Sequence, residues 1–396
     1  MKSVAIIGAG AAGCFAAACL GDCARVDVYE AAPGPMKKLA ITGGGRCNIT
    51  NTFENVRSVE EVYPRGHRLM KRALKAFSPE KTLEWFREAG VKGFVTEPDG
   101  CVFPESQDAM EIVHCLRNKM RGCTLHCGRK AISAKPVDGG WAIGFADGGS
   151  AWADVLLVTC GGAPHGLPLL DGLDIPWVPT VPSLFTFTVK DPELRALMGL
   201  VVEASLSLGG FHSHGALLIT DWGLSGPAVL RMSSYAARYL YDNGYIASLS
   251  INWTAQSQAV IQEELQSVLQ SGNQKLLSSM SPFSLPQRLW KHIIKRAGIR
   301  EDIRCAELGS KGLARLTATL ASDIYKVEGR SRFRDEFVTA GGVDLSAIDP
   351  STMQCRQHPG LYFAGEVLDI DAVTGGFNLQ AAWSTGWLAS QAIINN

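Results

Sequence analysis

The sequence predicts an α/β fold: a Rossmann-like domain built from both chain ends, with a second domain inserted between them. Three short apolar segments are each followed by a glycine turn, near residue 5, near residue 157 and near residue 362. Such segments are typical of buried parallel strands. Between about 185 and 330 the pattern changes to alternating apolar and polar residues and then to helical periodicity. This change predicts an inserted domain with a β part and a small helical part.

The first thirty residues predict a βαβ unit that binds a dinucleotide. Ser3–Ile7 and Arg25–Tyr29 are predicted strands, with an alanine-rich helix between them. The first turn has the spacing G-x-G-x-x-G, made by Gly8, Ala9, Gly10, Ala11, Ala12 and Gly13. Glycines at these points permit a tight turn, close approach to a pyrophosphate, and close packing of the helix. Glu30 ends the second strand, at the position where a carboxylate accepts a hydrogen bond from a ribose hydroxyl. A carboxylate at this position favours FAD or NAD over NADP.

Glycine turns at two further strand ends favour FAD over NAD. Val155–Gly162, which contains Thr159 and Cys160, is a predicted buried strand that ends in a glycine turn, and Leu361–Glu366 is a third predicted strand with a small residue and an acid at its end. Ligands of open α/β sheets lie at the carboxyl ends of the strands, so turns from both chain ends imply a cofactor longer than one βαβ unit holds. A second G-x-G-x-x-G is absent from the sequence, which argues against a separate nicotinamide domain.

The segment Thr42–Asn51 is a second candidate phosphate site. Three consecutive glycines, Gly43, Gly44 and Gly45, precede Arg46. Their backbone N–H groups can approach an anion, and the guanidinium can neutralise its charge. The alternative interpretation is a flexible surface loop.

Taken in order, these motifs resemble the YhiN/BaiN-like (aminoacetone oxidase-like) family of FAD-dependent flavoproteins. The resemblance rests on Thr42–Asn48, Gly223–Ala228, Thr339–Val343, Gly360–Glu366 and Gly375–Gln380, which span nearly the whole chain. It implies an FAD domain of residues 1–185 and 335–396, with a substrate domain of 186–334 inserted. Within that insertion the β part covers about 186–254 and the helical part about 255–320.

Local patterns support this division. The segment 175–182 is punctuated by prolines and is interpreted as the crossing into the insertion, and Val201–Leu208 alternates as a strand of an antiparallel sheet does. Ser225 is predicted to cap a helix that runs to about Tyr241. Three further helices are predicted at Ala255–Ser271, Leu285–Ala297 and Lys311–Ala321.

The resemblance also implies the residues that bind FAD. The full predicted set is Gly8, Gly10, Ala11, Ala12, Gly13, Glu30, Lys38, Gly44, Gly45, Arg46, Cys47, Asn48, Ala131, Thr159, Gly161, Gly365, Glu366, Gly375, Gly376, Asn378 and Leu379. Those up to Glu30 would hold the ADP half, with the backbone of Ala131 at the adenine. Lys38 and Arg46–Asn48 would line the pyrophosphate and flavin, and Glu366 the ribityl chain or phosphate. Gly376, Asn378 and Leu379 would face the flavin pyrimidine, where helix N–H groups stabilise negative charge.

The sequence departs from the family pattern at three places, occupied by Cys101, by Asp221-Trp222, and by Asp371–Val373. At the second of these places relatives often carry His followed by Phe; if that His shapes their substrate pocket, their individual substrates do not transfer to this chain. No nucleophile, base and acid can be paired by spacing. Candidate catalytic residues are Asp221, Trp222, Tyr325, Lys326 and His165.

Composition limits the classes of partner. The chain has 38 basic and 38 acidic residues, which argues against a dedicated nucleic-acid binder. No apolar run is long enough for a membrane span, so we predict no membrane partner. Eleven cysteines without a Cys-x-x-Cys pair indicate free thiols in a reducing, cytoplasmic setting.

Two smaller clusters leave alternatives open. Cys115, Cys123, His126 and Cys127 lie within thirteen residues, but the segment alternates as a strand does, and we predict no metal site. The basic run from His67 to Lys75 lies on one helix face, which is either solvated or binds an anion or nucleic acid.

These observations predict an FAD-dependent oxidoreductase that exchanges a hydride between flavin N5 and a small organic substrate. One direction is an amine or aminoketone oxidase that produces peroxide. The other is a reductase of a C=C bond, of bile-acid type or similar, with NAD(P)H as a diffusible electron donor. A flavoprotein that acts on RNA or on a protein partner is the alternative from another class.

Overall fold

A computed structural model describes residues 1–163, 167–330 and 338–396. The chain forms two compact units, one of Met1–Pro182 with Asp335–Asn396 and one of Ser183–Arg334. The assignment of these units as an FAD domain and a substrate domain stays a prediction. None of the helices in the described ranges has the length and apolar character needed to cross a bilayer.

The first unit is built on a five-stranded parallel sheet with the order β19-β10-β1-β2-β6. The strands of this unit, the last residue of β11 excepted, are β1 Ser3–Ile7, β2 Arg25–Glu30, β3 Thr50–Asn51, β4 Phe94–Thr96, β5 Cys101–Pro104, β6 Thr124–Cys127, β7 Ala131–Val137, β8 Gly140–Phe145, β9 Ser150–Ala153, β10 Val155–Val158, β11 Trp177–Ser183, β18 Val338–Val343 and β19 Leu361–Phe363. Strands β1, β10 and β19 are buried along their whole length, as their unbroken apolar sequences predict. This sheet confirms the α/β prediction.

Helices cover the parallel sheet, and two of them pack unusually closely. The helices of this unit are α1 Ala11–Leu20, α2 Lys37–Ile41, α3 Val59–Val62, α4 His67–Ala76, α5 Pro79–Glu88, α6 Ala109–Lys119 and α13 Phe377–Asn395. Small residues let α1 and α13 approach, since a Cβ at Gly386 would lie 3.1 Å from the Ala12 carbonyl oxygen. Phe15 fills the adjoining space, with its ring centroid 4.7 Å from Trp85 and 5.2 Å from Trp383. The ring contact of Phe15 with Trp383 links α1 to α13, and each of these helices begins at a predicted cofactor turn.

The second unit has a six-stranded antiparallel sheet with the order β12-β15-β14-β13-β16-β17. Its strands are β12 Phe187–Thr188, β13 Val201–Leu208, β14 Phe211–Ile219, β15 Gly223–Ser225, β16 Ile246–Asn252 and β17 Asp323–Glu328. Its helices are α7 Pro192–Arg195, α8 Pro227–Tyr235, α9 Ala237–Asp242, α10 Gln258–Ser271, α11 Gln287–Arg296 and α12 Gly309–Ala321. The predicted alternation of Val201–Leu208 matches β13, and the three predicted helices of the helical part are present as α10, α11 and α12.

One local prediction is incomplete and another is wrong. The proline-punctuated segment 175–182 was interpreted as the crossing between the domains, and the boundary of the two units follows Pro182, but β11 also occupies most of the segment and pairs with β18. Proline is tolerated there because a two-stranded ribbon has free edges. Ser225 was expected to cap a helix running to about Tyr241. It pairs with Leu218 at the end of β15, Gly226 takes the cap position, and the helix breaks into α8 and α9 at Ala236.

A buried polar network holds helix α11 against strand β17 in the second unit. The His292 Nε2 atom lies 2.9 Å from the Tyr325 hydroxyl, and both side chains are buried. Beside them, Arg296 donates to Asp323 Oδ1 at 2.6 Å and Trp253 donates to Asp323 Oδ2 at 3.1 Å. The polar groups of His292, Tyr325, Asp323 and Trp253 therefore all have partners in this network. Buried polar groups that are hydrogen-bonded in this way contribute to stability.

We expect His292 to make the stability of the second unit pH-dependent. Burial lowers the pKa of His292 below its usual 6.5. The unfolded chain then binds more protons below about pH 6.5, so stability is fully present above that pH and falls as the pH drops toward the folded-state pKa. Denaturation at a series of pH values, with hydrogen exchange of β17 amides as the local measurement, should show this slope. The variant His292→Gln, which keeps a hydrogen-bonding group but does not titrate, should flatten it; an equal slope in both proteins would contradict the assignment.

Candidate functional site

The turn after β1 is held by hydrogen bonds from both neighbouring strands. The Gly8 amide donates to the Tyr29 carbonyl at 2.8 Å, and the Thr159 hydroxyl donates to the Gly8 carbonyl at 2.9 Å. Gly8 has φ +105°, a left-handed conformation, and a Cβ there would lie 2.6 Å from the Thr159 carbonyl oxygen. Only glycine fits this position, which fixes the start of α1 at the carboxyl ends of β1 and β10.

Two other glycines of the turn have different reasons to be glycine. A Cβ at Gly13 would overlap the Gly8 carbonyl oxygen, so Gly13 is required by packing within the protein. Gly10 has φ −83° and no atom within 4 Å of the position a Cβ would take. Neither backbone strain nor packing explains Gly10, whereas a ligand lying against the turn would. No side chain caps the N-terminus of α1, so its first N–H groups are open to an anion.

Glu30 lies beside this turn and is fixed by the backbone. Its Oε2 accepts the Ala9 amide at 2.8 Å, and its Oε1 accepts the Ala32 amide at 2.7 Å. Each carboxylate oxygen has a second lone pair, so a ribose hydroxyl can still donate to it. Ala131, the predicted adenine contact, is the first residue of β7 and pairs with Phe145 in a separate three-stranded sheet.

The ends of β10 and β19 converge around Glu366. Its Oε1 accepts the Thr339 amide at 2.8 Å, and its Oε2 lies 3.5 Å from the Lys38 Nζ atom. A Cβ at Gly161 would lie 3.5 Å from the same Oε2, and a Cβ at Gly365 would lie 2.8 Å from the Ala12 Cβ. These contacts bring together four residues that are distant in sequence and place them next to the first turn of α1. They are Lys38, Gly161, Gly365 and Glu366.

The glycine-rich segment around Gly44 is joined to the start of α13. The Asn51 side chain donates through Nδ2 to the Gly375 carbonyl at 3.0 Å, and the Thr50 hydroxyl donates to Gln380 Oε1 at 2.6 Å. The Trp383 indole donates to the Ile49 carbonyl at 2.8 Å. These three contacts place Gly44, Asn48 and Gly376 in one region, and Gly376 caps α13 without a side-chain partner. An uncapped helix N-terminus favours negative charge, which suits a reduced flavin.

Several predicted side chains are already used within the protein. The Arg46 guanidinium donates to Glu97 at 2.8 Å and lies 4.1 Å from the centroid of the Phe103 ring. Asn378 binds the backbone of Ala372 through both its oxygen and its nitrogen. Burial raises the pKa of the Cys47 thiol to about 12, so this thiol is protonated at neutral pH. A packing role suits Cys47 better than a redox role.

The predicted set fits FAD. A Cβ at Gly44 or at Gly45 would, as at Gly10, have no atom within 4 Å, so three glycines border space that the protein leaves open. Two uncapped helix N-termini, those of α1 and α13, belong to the same unit. The individual contacts of these residues with FAD stay predictions. Within the described ranges no three His, Cys, Asp or Glu side chains are grouped to hold a metal.

The candidate catalytic residues are dispersed. Asp221 is exposed between β14 and β15, and Lys326 is exposed on β17, 3.8 Å from Glu328. The Trp222 indole donates to Thr186 at 3.3 Å. Tyr325 is 3% exposed and bonded to His292. His165 lies outside the described residues.

We expect Tyr325 to act on stability rather than on turnover. In Tyr325→Phe the His292 Nε2 atom loses its partner, which should lower the free energy of unfolding by about 1–3 kcal/mol. Chemical denaturation would measure this loss, and turnover per bound FAD should stay at the parental value. A loss of turnover in Tyr325→Phe with unchanged stability would instead support Tyr325 as an acid.

Sequence reasoning missed residues that assemble the site without lining it. Gln380 accepts hydrogen bonds from Thr50 and Thr82, and the Thr385 hydroxyl accepts the Gly365 amide at 2.9 Å. Polar residues on a mostly apolar helix such as α13 were the available signal, since buried polar side chains need partners. The partners of Gln380 are about 300 residues away in sequence, and the partner of Thr385 is in the turn at Gly365. No rule based on sequence spacing identifies these pairs.

Comparison with known proteins identifies the family. The model described as the HI0933-like protein Rossmann domain matches residues 2–392. The chain is 29% identical to a ribosomal RNA dihydrouridine synthase of Escherichia coli K12, over 98% of this chain and 97% of that protein. It is 28% identical to a 3-dehydro-bile acid delta(4,6)-reductase of Clostridium scindens, over 99% of both. These relatives are similar over their full length.

Solved structures show the same fold at low identity. A 3-ketosteroid delta1-dehydrogenase of Sterolibacterium denitrificans is 10% identical, with a TM-score of 0.53 and complete coverage of both chains. A 3-ketosteroid-delta4-(5alpha)-dehydrogenase of Rhodococcus jostii RHA1 is 13% identical, with a TM-score of 0.51, over 98% of this chain and 97% of that one. The predictions of FAD as cofactor and of a flavin-dependent oxidoreductase are confirmed at the level of the family. This chain belongs to the HI0933-like family of FAD-dependent oxidoreductases with a Rossmann domain.

Proposed function

We propose that this protein reduces a C=C bond conjugated to a carbonyl group. The proposal rests on one observation: two relatives that match over their full length are named for reactions on a C=C bond conjugated to a carbonyl group. Dihydrouridine differs from uridine by a saturated C5–C6 bond beside the C4 carbonyl, and a delta(4,6)-reductase of a 3-dehydro-bile acid acts on double bonds conjugated to the C3 ketone. Both substrates are α,β-unsaturated carbonyl compounds, although one is part of an RNA and the other is a steroid.

The chemistry is balanced by one hydride and one proton. FAD, when bound and reduced, supplies the hydride to the carbon β to the carbonyl, and NAD(P)H is the proposed diffusible donor. The α carbon takes a proton from solvent or from an acid of the chain. The N-terminus of α13, capped only by the Gly376 backbone, favours the negative charge that accompanies this redox cycle. A cytoplasmic location, where NAD(P)H is available, belongs to the same proposal.

Oxidation of reduced holoenzyme by defined substrates tests the reaction class. The FAD-loaded protein would be reduced chemically without oxygen and mixed with a 3-keto-4-ene steroid, uridine, a uridine-containing RNA or a saturated ketone. Return of oxidised-flavin absorbance with an unsaturated compound, together with a product two hydrogens heavier, is the expected result; the saturated ketone is the control. The oxidase direction would prevail if none of these compounds reacted while an amine or aminoketone reduced the oxidised holoenzyme and air then yielded peroxide.

A further inference from the structure

A cavity of about 490 Å³ lies in the first unit between the start of α4 and the segment 345–356. It is lined by Gly66, His67, Arg68, Leu69, Arg72, Leu345, Ser346, Ile348, Pro350 and Arg356. None of these residues belongs to the predicted FAD set. We call this cavity the arginine pocket.

Three arginines give the pocket its charge. Arg68, Arg72 and Arg356 are exposed, and their guanidinium groups make no ion pair or hydrogen bond with another described residue. Lys71 of the same helix, by contrast, is paired with Glu60 at 2.5 Å. Arg356 and Arg72 act electrostatically on Asp349, which does not line the pocket and whose Oδ1 accepts the Ser351 amide at 2.9 Å and the Ser351 hydroxyl at 2.6 Å. The pocket therefore keeps a net positive charge.

The floor of the pocket is apolar. Among the lining residues Leu69 and Ile348 are buried and Leu345 and Pro350 are half-buried, and we call these four side chains the floor of the pocket. An apolar floor under a basic rim suits a ligand with both an uncharged ring and an anionic group. A sulfate-like ion would need only the rim.

The backbone of α4 adds to the positive field. This ten-residue helix begins at His67, directly after Gly66, and no side chain caps it. Its first N–H groups therefore remain available where the pocket is lined by Gly66 and His67. A helix N-terminus beside guanidinium groups is a favourable setting for phosphate.

We propose that the arginine pocket binds a phosphate group of a nucleotide, with the base or ribose against the apolar floor. Arg68, Arg72 and Arg356 contact the phosphate, and Leu69, Leu345 and Ile348 contact the ring. The ligand is part of an RNA strand or is a free nucleotide such as NADP⁺, and the shared chemistry is the phosphate. The site does not rest on the proposed reaction, because binding to it requires no turnover.

Binding to oxidised holoenzyme tests the pocket. The probes are inorganic phosphate, NAD⁺, NADP⁺ and a single-stranded RNA oligonucleotide, titrated against parental protein, the double variant Arg72→Ala/Arg356→Ala, and Lys75→Ala. Lys75 is exposed on the same helix but does not line the pocket, so its variant is the matched control for loss of a positive charge. Thermal unfolding and FAD content establish that each variant is folded and loaded.

We expect the double variant to bind RNA or NADP⁺ at least about tenfold more weakly, since charge-assisted hydrogen bonds are lost. Lys75→Ala should stay within about twofold of the parental protein. A loss confined to RNA, with a shallower salt dependence, identifies a nucleic-acid strand; a loss for NADP⁺ but not NAD⁺ identifies the free nucleotide. The proposal is overturned if no probe binds the parental protein, or if the double variant binds every probe as the parental protein does. Neither result bears on reoxidation by unsaturated carbonyl compounds, so the two proposals fail separately.

Discussion

Replacement of Gly10 by Asp should abolish FAD binding and leave the apoprotein folded. Gly10 has an extended backbone conformation, φ −83° and ψ −165°, that any residue can adopt, and a Cβ atom there would meet no protein atom within 4 Å. Asp is also a favourable residue at the N-cap of a helix, so apoprotein stability should change by only a few tenths of a kcal/mol. The new carboxylate would occupy the space expected for the pyrophosphate. Repulsion between these like charges should cost several kcal/mol, roughly a thousandfold or more in affinity.

Two further variants separate the causes. Gly10→Asn adds the same volume without the charge, so it should lose less FAD affinity than Gly10→Asp. Gly13→Ala should instead destabilise the apoprotein, because its Cβ overlaps the Gly8 carbonyl oxygen and lies 2.5 Å from the Thr159 hydroxyl. FAD titration by fluorescence and chemical denaturation of apoprotein provide both measurements. Purification of Gly10→Asp with a full complement of FAD would show that the dinucleotide does not cross this turn.

The parallel sheet was predictable because each of its central strands is a short, unbroken apolar segment with a glycine turn at its end. Ser3–Ile7 was assigned with the bounds that the structure has, and β10 begins at Val155 as predicted for the strand Val155–Gly162 but ends at Val158. Buried strands leave this strong local signal. Strand β11 was missed because two-stranded pairing depends on a partner about 160 residues away, while prolines are the stronger local signal.

The candidate site was predictable where glycine or a strand end marks it, but the side-chain partners were not. Arg46 illustrates the difference, since its position beside three glycines suggested a phosphate contact, whereas the structure pairs it with Glu97. The partner lies 51 residues away, and no local pattern joins the two. The basic run of α4 was visible as charge on one helix face, but the pocket needs Arg356, which comes from the C-terminal segment.

Loss of the Asp371 carboxylate should be the most destabilising single change outside the apolar core. The Asp371 side chain is fully buried, and the Arg65 guanidinium, 16% exposed, donates to both of its oxygens, with Nη2 at 2.5 Å from Oδ2. In Asp371→Ala the guanidinium loses the carboxylate that compensates its charge. Removal of one member of such a pair typically lowers the free energy of unfolding by about 3–5 kcal/mol.

A double-mutant cycle distinguishes the ion pair from loss of packing. Arg65→Met, Asp371→Leu and the double variant would be unfolded by denaturant, with FAD content measured alongside. We expect the double variant to be more stable than the sum of the single losses predicts, because it leaves neither charge buried alone. Strict additivity would mean that Asp371 acts through its other contacts. Asp371 stands six residues before Phe377, where α13 begins, so the single variants at Asp371 should also lose FAD. A variant that is destabilised but binds FAD with parental affinity would confine the ion pair to a structural role.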